Sequence, residues 1–141
     1  MASIKTPCLG ICSTTSVGDV VCRGCKRYAF EVIDWNGYDV EAKSAVLSRI
    51  ERLSTQILEN KLRIFSEPNL RAGLNRFQIP YDELLSPYCW LHNLLKKGHG
   101  RMESLEEYGV YALGNYAGMP LSQLCEIIES DLLLLSEAHH A

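Results

Sequence analysis

An all-α fold behind an irregular loop is what this sequence predicts, and three observations carry the prediction. After residue 39, apolar residues recur at spacings of three to five rather than in alternation. Signals that start and stop helices succeed one another through the second half: Ser86-Pro87 and Gly98, then Ser104 with Glu107 and Gly114. The first 35 residues instead carry Pro7, Gly10, Gly18 and Gly24 around a small polar stretch at 13–18, which is loop composition.

The loop comes first. Its apolar mass is too small to hold a fold without a cross-link. Tyr28, Phe30, Val32, Ile33 and Trp35 form the layer joining it to the rest of the chain. Residues 39–65 predict one long helix, with Val46, Ile50, Leu53, Ile57, Leu62 and Phe65 on one stripe and charged residues largely between them. Asn36 or Asp39 is placed to cap it, and Pro68 is expected to enforce its stop. Residues 81–85 read as a single turn. Ser86 followed by Pro87 at the first helical position opens a helix to Lys97, where Lys96 and Lys97 suit the negative end of the dipole. Ser104 and Glu107 match a capping box for a helix to about Leu113. The last helix runs from Leu121 to about Glu137, with Leu121, Leu124, Ile128, Leu132 and Leu135 as its stripe. No convincing strand is expected. The chain therefore divides into 1–36, the long helix at 37–66, and a helical region at 67–141.

Composition narrows the function classes. Just under half of the 141 residues are apolar, so the chain can bury a core. The net charge of −3 hides an asymmetry: residues 1–76 hold 11 Lys+Arg against 8 Asp+Glu, and residues 77–141 hold 3 against 9. Neither half has the basic excess of a typical polyanion binder. No apolar run is long enough to span a bilayer. The first residues lack the apolar segment of a signal peptide, so the expectation is a cytosolic protein with reduced thiols.

The chemistry lies in four cysteines, Cys8, Cys12, Cys22 and Cys25. Their spacing is Cys-x3-Cys-x9-Cys-x2-Cys. Two short-spaced pairs across a loop suit tetrahedral coordination, because each pair bends the backbone around the metal and the loop brings the pairs face to face. Gly24 is placed to take a positive φ in the second pair, and Gly10 sits similarly in the first. Disulfides would need an oxidising compartment, and a redox Cys-x-x-Cys at Cys22 and Cys25 would leave the first pair unexplained. Thiolates suit both zinc and iron–sulfur centres, and the spacing leaves the two open.

The residues around these cysteines carry a resemblance. Pro7-Cys8-Leu9-Gly10-Ile11-Cys12, Val21-Cys22-Arg23-Gly24-Cys25-Lys26-Arg27, Glu31-Val32-Ile33-Asp34-Trp35 and Ala45-Val46-Leu47 together resemble the domain of unknown function 1289 family of small bacterial proteins. The likeness covers roughly residues 5–53, with Asn36-Gly37-Tyr38-Asp39 where the family often has a Ser/Met-rich helix start. It implies a four-cysteine site and a short helical follow-on. Members are often labelled predicted iron–sulfur proteins, so the resemblance tilts the cofactor towards an iron–sulfur cluster over zinc.

Other residues invite weaker readings. Cys89 and His92 share a helix face and could form a second metal pair, although a core cysteine beside a histidine accounts for them more simply. Cys125 reads as packing, His99 as a loop residue, and His139 and His140 as a frayed tail. Arg23, Lys26 and Arg27, with Tyr28, Phe30 and Trp35, could touch nucleic acid. The competing reading is that the cations offset thiolate charge while the aromatics form a small core. No nucleophile elbow, phosphate loop or dinucleotide fingerprint appears, and four cysteines would close a metal's shell to substrate. The expectation is an all-α, non-catalytic metal-binding protein whose cofactor is an iron–sulfur cluster or zinc and whose partner is another protein. The alternative is a zinc-stabilised nucleic-acid-binding module.

Overall fold

The computed structural model describes residues 18–140, so Cys8 and Cys12 lie outside the described residues. Within that span are five α-helices: α1 (Ala29–Asp34), α2 (Val40–Lys61), α3 (Glu67–Arg76), α4 (Pro87–Gly98) and α5 (Leu121–His140). Two short strands, β1 (Leu62–Ile64) and β2 (Val110–Ala112), complete the set with four short 3-10 turns. The protein is mostly helical, as its sequence predicts. Among the described residues no helix is long and apolar enough to cross a membrane.

The chain falls into two compact units. The first comprises Met1–Leu53 with Glu129–Ala141, and the second Ser54–Ile128.

In the first unit, a tight hairpin leads into α1. The backbone N–H of Tyr28 donates to Glu31 Oε1 at 2.8 Å, which satisfies a donor that the helix start would otherwise leave open. A 3-10 turn, Trp35–Gly37, comes next and buries Trp35. Asp39 caps α2 by accepting from the N–H of Ala42 at 2.7 Å. The buried residues of this unit include Val21, Tyr28, Trp35, Val46, Leu53 and Leu132.

The second unit has a larger apolar core. Leu58, Leu62, Leu70, Leu74, Trp90, Leu91, Leu94, Val110, Leu124 and Ile128 pack as one cluster. Each such side chain contributes roughly 1.5–3 kcal/mol when fully buried. Ser86 accepts from the N–H of Tyr88 at 3.2 Å, and Pro87 starts α4 as expected. The turn at 81–85 is closed by Leu85 N–H to Asp82 O at 3.0 Å, and Trp90 Nε1 donates to the same carbonyl at 2.7 Å.

Four expectations are corrected. The long helix stops at Lys61, and the chain continues as β1, paired antiparallel with β2 in the register Leu62–Ala112, Arg63–Tyr111, Ile64–Val110. The side-chain period then becomes two, so Leu62 points inward while Arg63 and Phe65 point outward, and Phe65 leaves the predicted stripe. Pro68 does not stop the long helix. It sits in the first turn of α3, whose N-cap Ser66 accepts from Asn69 N–H at 3.3 Å. The helix expected after Ser104 is a short 3-10 turn, Glu106–Tyr108, ended by Gly109 at φ 76° and continued as β2. Finally, α5 reaches His140 rather than fraying, and Ser136, not Leu135, continues its buried row after Leu132.

Candidate metal centre

Cys22 and Cys25 occupy one tight backbone turn. Val21 and Tyr28 form an antiparallel bridge, and Ala29 N–H donates to Val20 O at 2.8 Å. Inside that bridge, Cys22 N–H donates to Arg27 O at 2.9 Å, and Lys26 N–H donates back to Cys22 O at 2.9 Å. Chain reversal over so few residues needs a left-handed position. It falls on Lys26, φ 65°, rather than on Gly24. Both cysteines are buried, at 2% and 6% exposure. They are not joined to each other by a disulfide.

The two cations after Cys25 are folded inward. Lys26 is 3% exposed, and its Nζ donates to the carbonyl of Arg23, to Gly24 O at 3.3 Å and to Glu129 Oε2 at 2.7 Å. Its amine thus ties together the carbonyls of the turn, and Glu129 on α5 balances its charge. Arg27 is also 3% exposed. Its Nε donates to Cys25 Sγ at 3.3 Å, and its guanidinium lies 4.9 Å from the centroid of the Trp35 ring. Burial raises the Cys25 thiol above the ordinary cysteine range, while the bond and charge of Arg27 pull it the other way. Arg23 differs: it is exposed and pairs with Asp19 at 2.8 Å. Of the three cations, Arg27 therefore fits the charge-offsetting reading, Lys26 is matched by Glu129, and Tyr28 and Trp35 are core. Phe30 faces outward, with Ile33 and Val20.

Sequence reasoning missed the supports of this turn. Glu31 is buried and accepts from the two terminal guanidinium nitrogens of Arg49, at 2.6 and 2.7 Å. The Arg49 guanidinium lies 3.9 Å from the centre of the Tyr28 ring. One carboxylate therefore caps α1 and binds α1 to α2 beside the cysteine hairpin. The signal available in the sequence was the acidic residue three positions after Tyr28. His140, at the end of α5, meets the Tyr28 ring edge-on with centroids 4.7 Å apart.

The remaining candidates pack inside the second unit. Cys89 and His92 are both buried, and Cys89 Sγ lies 3.4 Å from Thr55 Oγ1. His99 Nδ1 is 2.8 Å from Leu95 O at the end of α4, and Cys125 Sγ is 4.0 Å from the same carbonyl. Among the described residues no three Cys, His, Asp or Glu side chains gather around a possible ion position. Cys22 and Cys25 are thus the described half of the expected four-sulfur set. Their donor chemistry fits a soft metal centre: two buried sulfurs on one turn, one of them already accepting from a cation.

Residues 6–54 match the family described as Protein of unknown function (DUF1289). This segment is a DUF1289 domain. It contains all four expected ligands, Cys8, Cys12, Cys22 and Cys25, and also Glu31, Trp35 and Arg49. Glu129, which holds Lys26, lies outside the DUF1289 segment. No curated protein and no solved structure matches the chain.

Proposed function

We propose that the DUF1289 segment is a four-thiolate metal module, with Cys8, Cys12, Cys22 and Cys25 as ligands, in a non-catalytic cytosolic protein. One observation carries the reading: a buried guanidinium, Arg27, donates to a buried cysteine sulfur. Burying a cation is unfavourable unless an anion faces it. Among the described residues, Lys26 has Glu129 for that purpose, whereas Arg27 has Cys25 Sγ and the face of Trp35. A neutral thiol is a poor counter-charge; a metal-bound thiolate is a good one. The modest apolar core of the first unit supports the same reading, because small modules are commonly stapled by a metal.

Four thiolates accept an iron–sulfur cluster or zinc, and the first is favoured by the family resemblance. When bound, the centre cross-links the loop and, if it is iron–sulfur, supplies electron transfer or redox sensing. Cys22 and Cys25 hold it, Lys26 fixes the turn and Arg27 offsets charge. The exposed side chains of Val20, Phe30 and Ile33 offer an apolar surface suited to a protein partner.

Elemental analysis and the visible spectrum of protein purified without oxygen test this. A brown protein with iron and sulfide, or a colourless one with about one equivalent of zinc, is the expected result. Cys22→Ser should lose the metal and unfold the first unit, because binding and folding are coupled. Cys89→Ser should keep the metal. A wild-type protein with no metal, or a Cys22→Ser variant with full metal content, would overturn the assignment.

A further inference from the structure

The geometry points to Arg27 as a positioning residue that tunes the metal centre through the sulfur of Cys25. The inference rests on the four-thiolate reading and goes beyond it, since ligands alone do not assign a role to a residue outside the coordination shell.

Three observations converge on Arg27. Its Nε reaches Cys25 Sγ at 3.3 Å, within the sulfur hydrogen-bonding range, so the sulfur accepts a charge-assisted bond. Its guanidinium lies 4.9 Å from the Trp35 ring centroid, so the aromatic face favours the cation and restrains the group. Its backbone carbonyl accepts from Cys22 N–H at 2.9 Å, so the residue that touches one sulfur also fixes the backbone of the other ligand. Arg27 is 3% exposed, which leaves little room for water to replace the bond. A four-thiolate centre of divalent zinc carries an excess of two negative charges, and a buried guanidinium bound to one sulfur offsets part of it. Hydrogen bonds to sulfur also lower the energy of its lone pairs, which sets metal affinity and the potential of an iron–sulfur cluster.

The nearby Arg49 provides the contrast. It binds Glu31 and lies over the Tyr28 ring, so a carboxylate already matches its charge. It supports the fold, whereas Arg27 acts on the ligand.

Cobalt(II), loaded anaerobically into the full-length apoprotein, is the probe. Arg27→Met keeps an apolar stem but removes the donor and the charge. Its sulfur-to-cobalt charge-transfer band should move to longer wavelength, and cobalt affinity against a competing chelator should fall roughly 10–100-fold. Arg27→Lys keeps the charge without Nε and should lie between the two. Arg49→Gln should reduce thermal stability but leave the band where it is. If Arg27→Met misfolds, the Arg27→Lys band decides. A band and affinity unchanged in the folded Arg27 variants, with cobalt bound to the wild type, overturns this inference alone. A wild type that takes up no cobalt, iron or zinc overturns the four-thiolate reading as well.

Discussion

Glu31 shows how one residue serves two structural levels. Its carboxylate accepts from Tyr28 N–H at the start of α1 and receives Arg49 through two nitrogens. The pair is mostly buried, with side-chain exposures of 5% for Glu31 and 17% for Arg49, so little water screens it. Removing one partner of such a pair leaves an uncompensated charge and costs about 3–5 kcal/mol. Glu31→Gln, which can still cap α1, should therefore lower stability in urea unfolding by that order. A loss below about 1 kcal/mol would place the pair among weak surface bridges instead. In the sequence, Glu31 could be seen as a capping residue, but Arg49 sits 18 positions away and the pairing could not. Cys22 and Cys25 were legible because a two-residue spacer between cysteines has few uses. Lys26 looks like one of several loose cations, since no local rule says that a lysine will adopt φ 65° and turn its amine back onto its own turn.

At the scale of elements, local signals succeeded wherever they were complete. Ser86-Pro87 to Gly98 became α4 because cap, first-turn proline and terminal lysines all agreed. Ser104 and Glu107 failed because Gly109 intervenes. Its left-handed conformation ends the 3-10 turn, and its carbonyl accepts from both Phe65 N–H at 2.8 Å and Ser66 N–H at 3.2 Å. The strand beyond it exists through its partner at Leu62–Ile64, which capping rules cannot see. A Cβ at Gly109 would run into the Ser66 carbonyl, whereas one at Gly114, also at positive φ, meets nothing within 4 Å. Gly114→Ala should thus cost only the backbone strain, about 1–3 kcal/mol, and Gly109→Ala clearly more, with loss of the β1–β2 pairing in hydrogen exchange. Equal melting temperatures for the two variants would show that the Ser66 contact relaxes freely.

For the whole molecule, each unit carries one tryptophan in its buried core, Trp35 in the first and Trp90 in the second. The second core is made of leucine, isoleucine, valine, methionine and aromatic side chains drawn from residues 58–128. Trp35, by contrast, lies under Arg27, which holds Cys25. With 5-fluorotryptophan in both positions, stripping the proposed metal with a strong chelator should shift or broaden the Trp35 fluorine resonance and leave that of Trp90 in place. Simultaneous collapse of both signals would mean that the larger core also depends on the metal.

By itself the sequence determined the helical class, α4 and the course of α5, and the cysteine turn, because these arise from periodicity, caps and short spacings among near neighbours. Tertiary structure decided what the turn is made of and what holds it. Lys26 meets Glu129 across 103 positions, Arg49 meets Glu31 across 18, and β1 finds β2 only once the chain has folded back. Each of these pairings is settled by where the chain places a buried charge or an open backbone group, and that placement has no short-range signature.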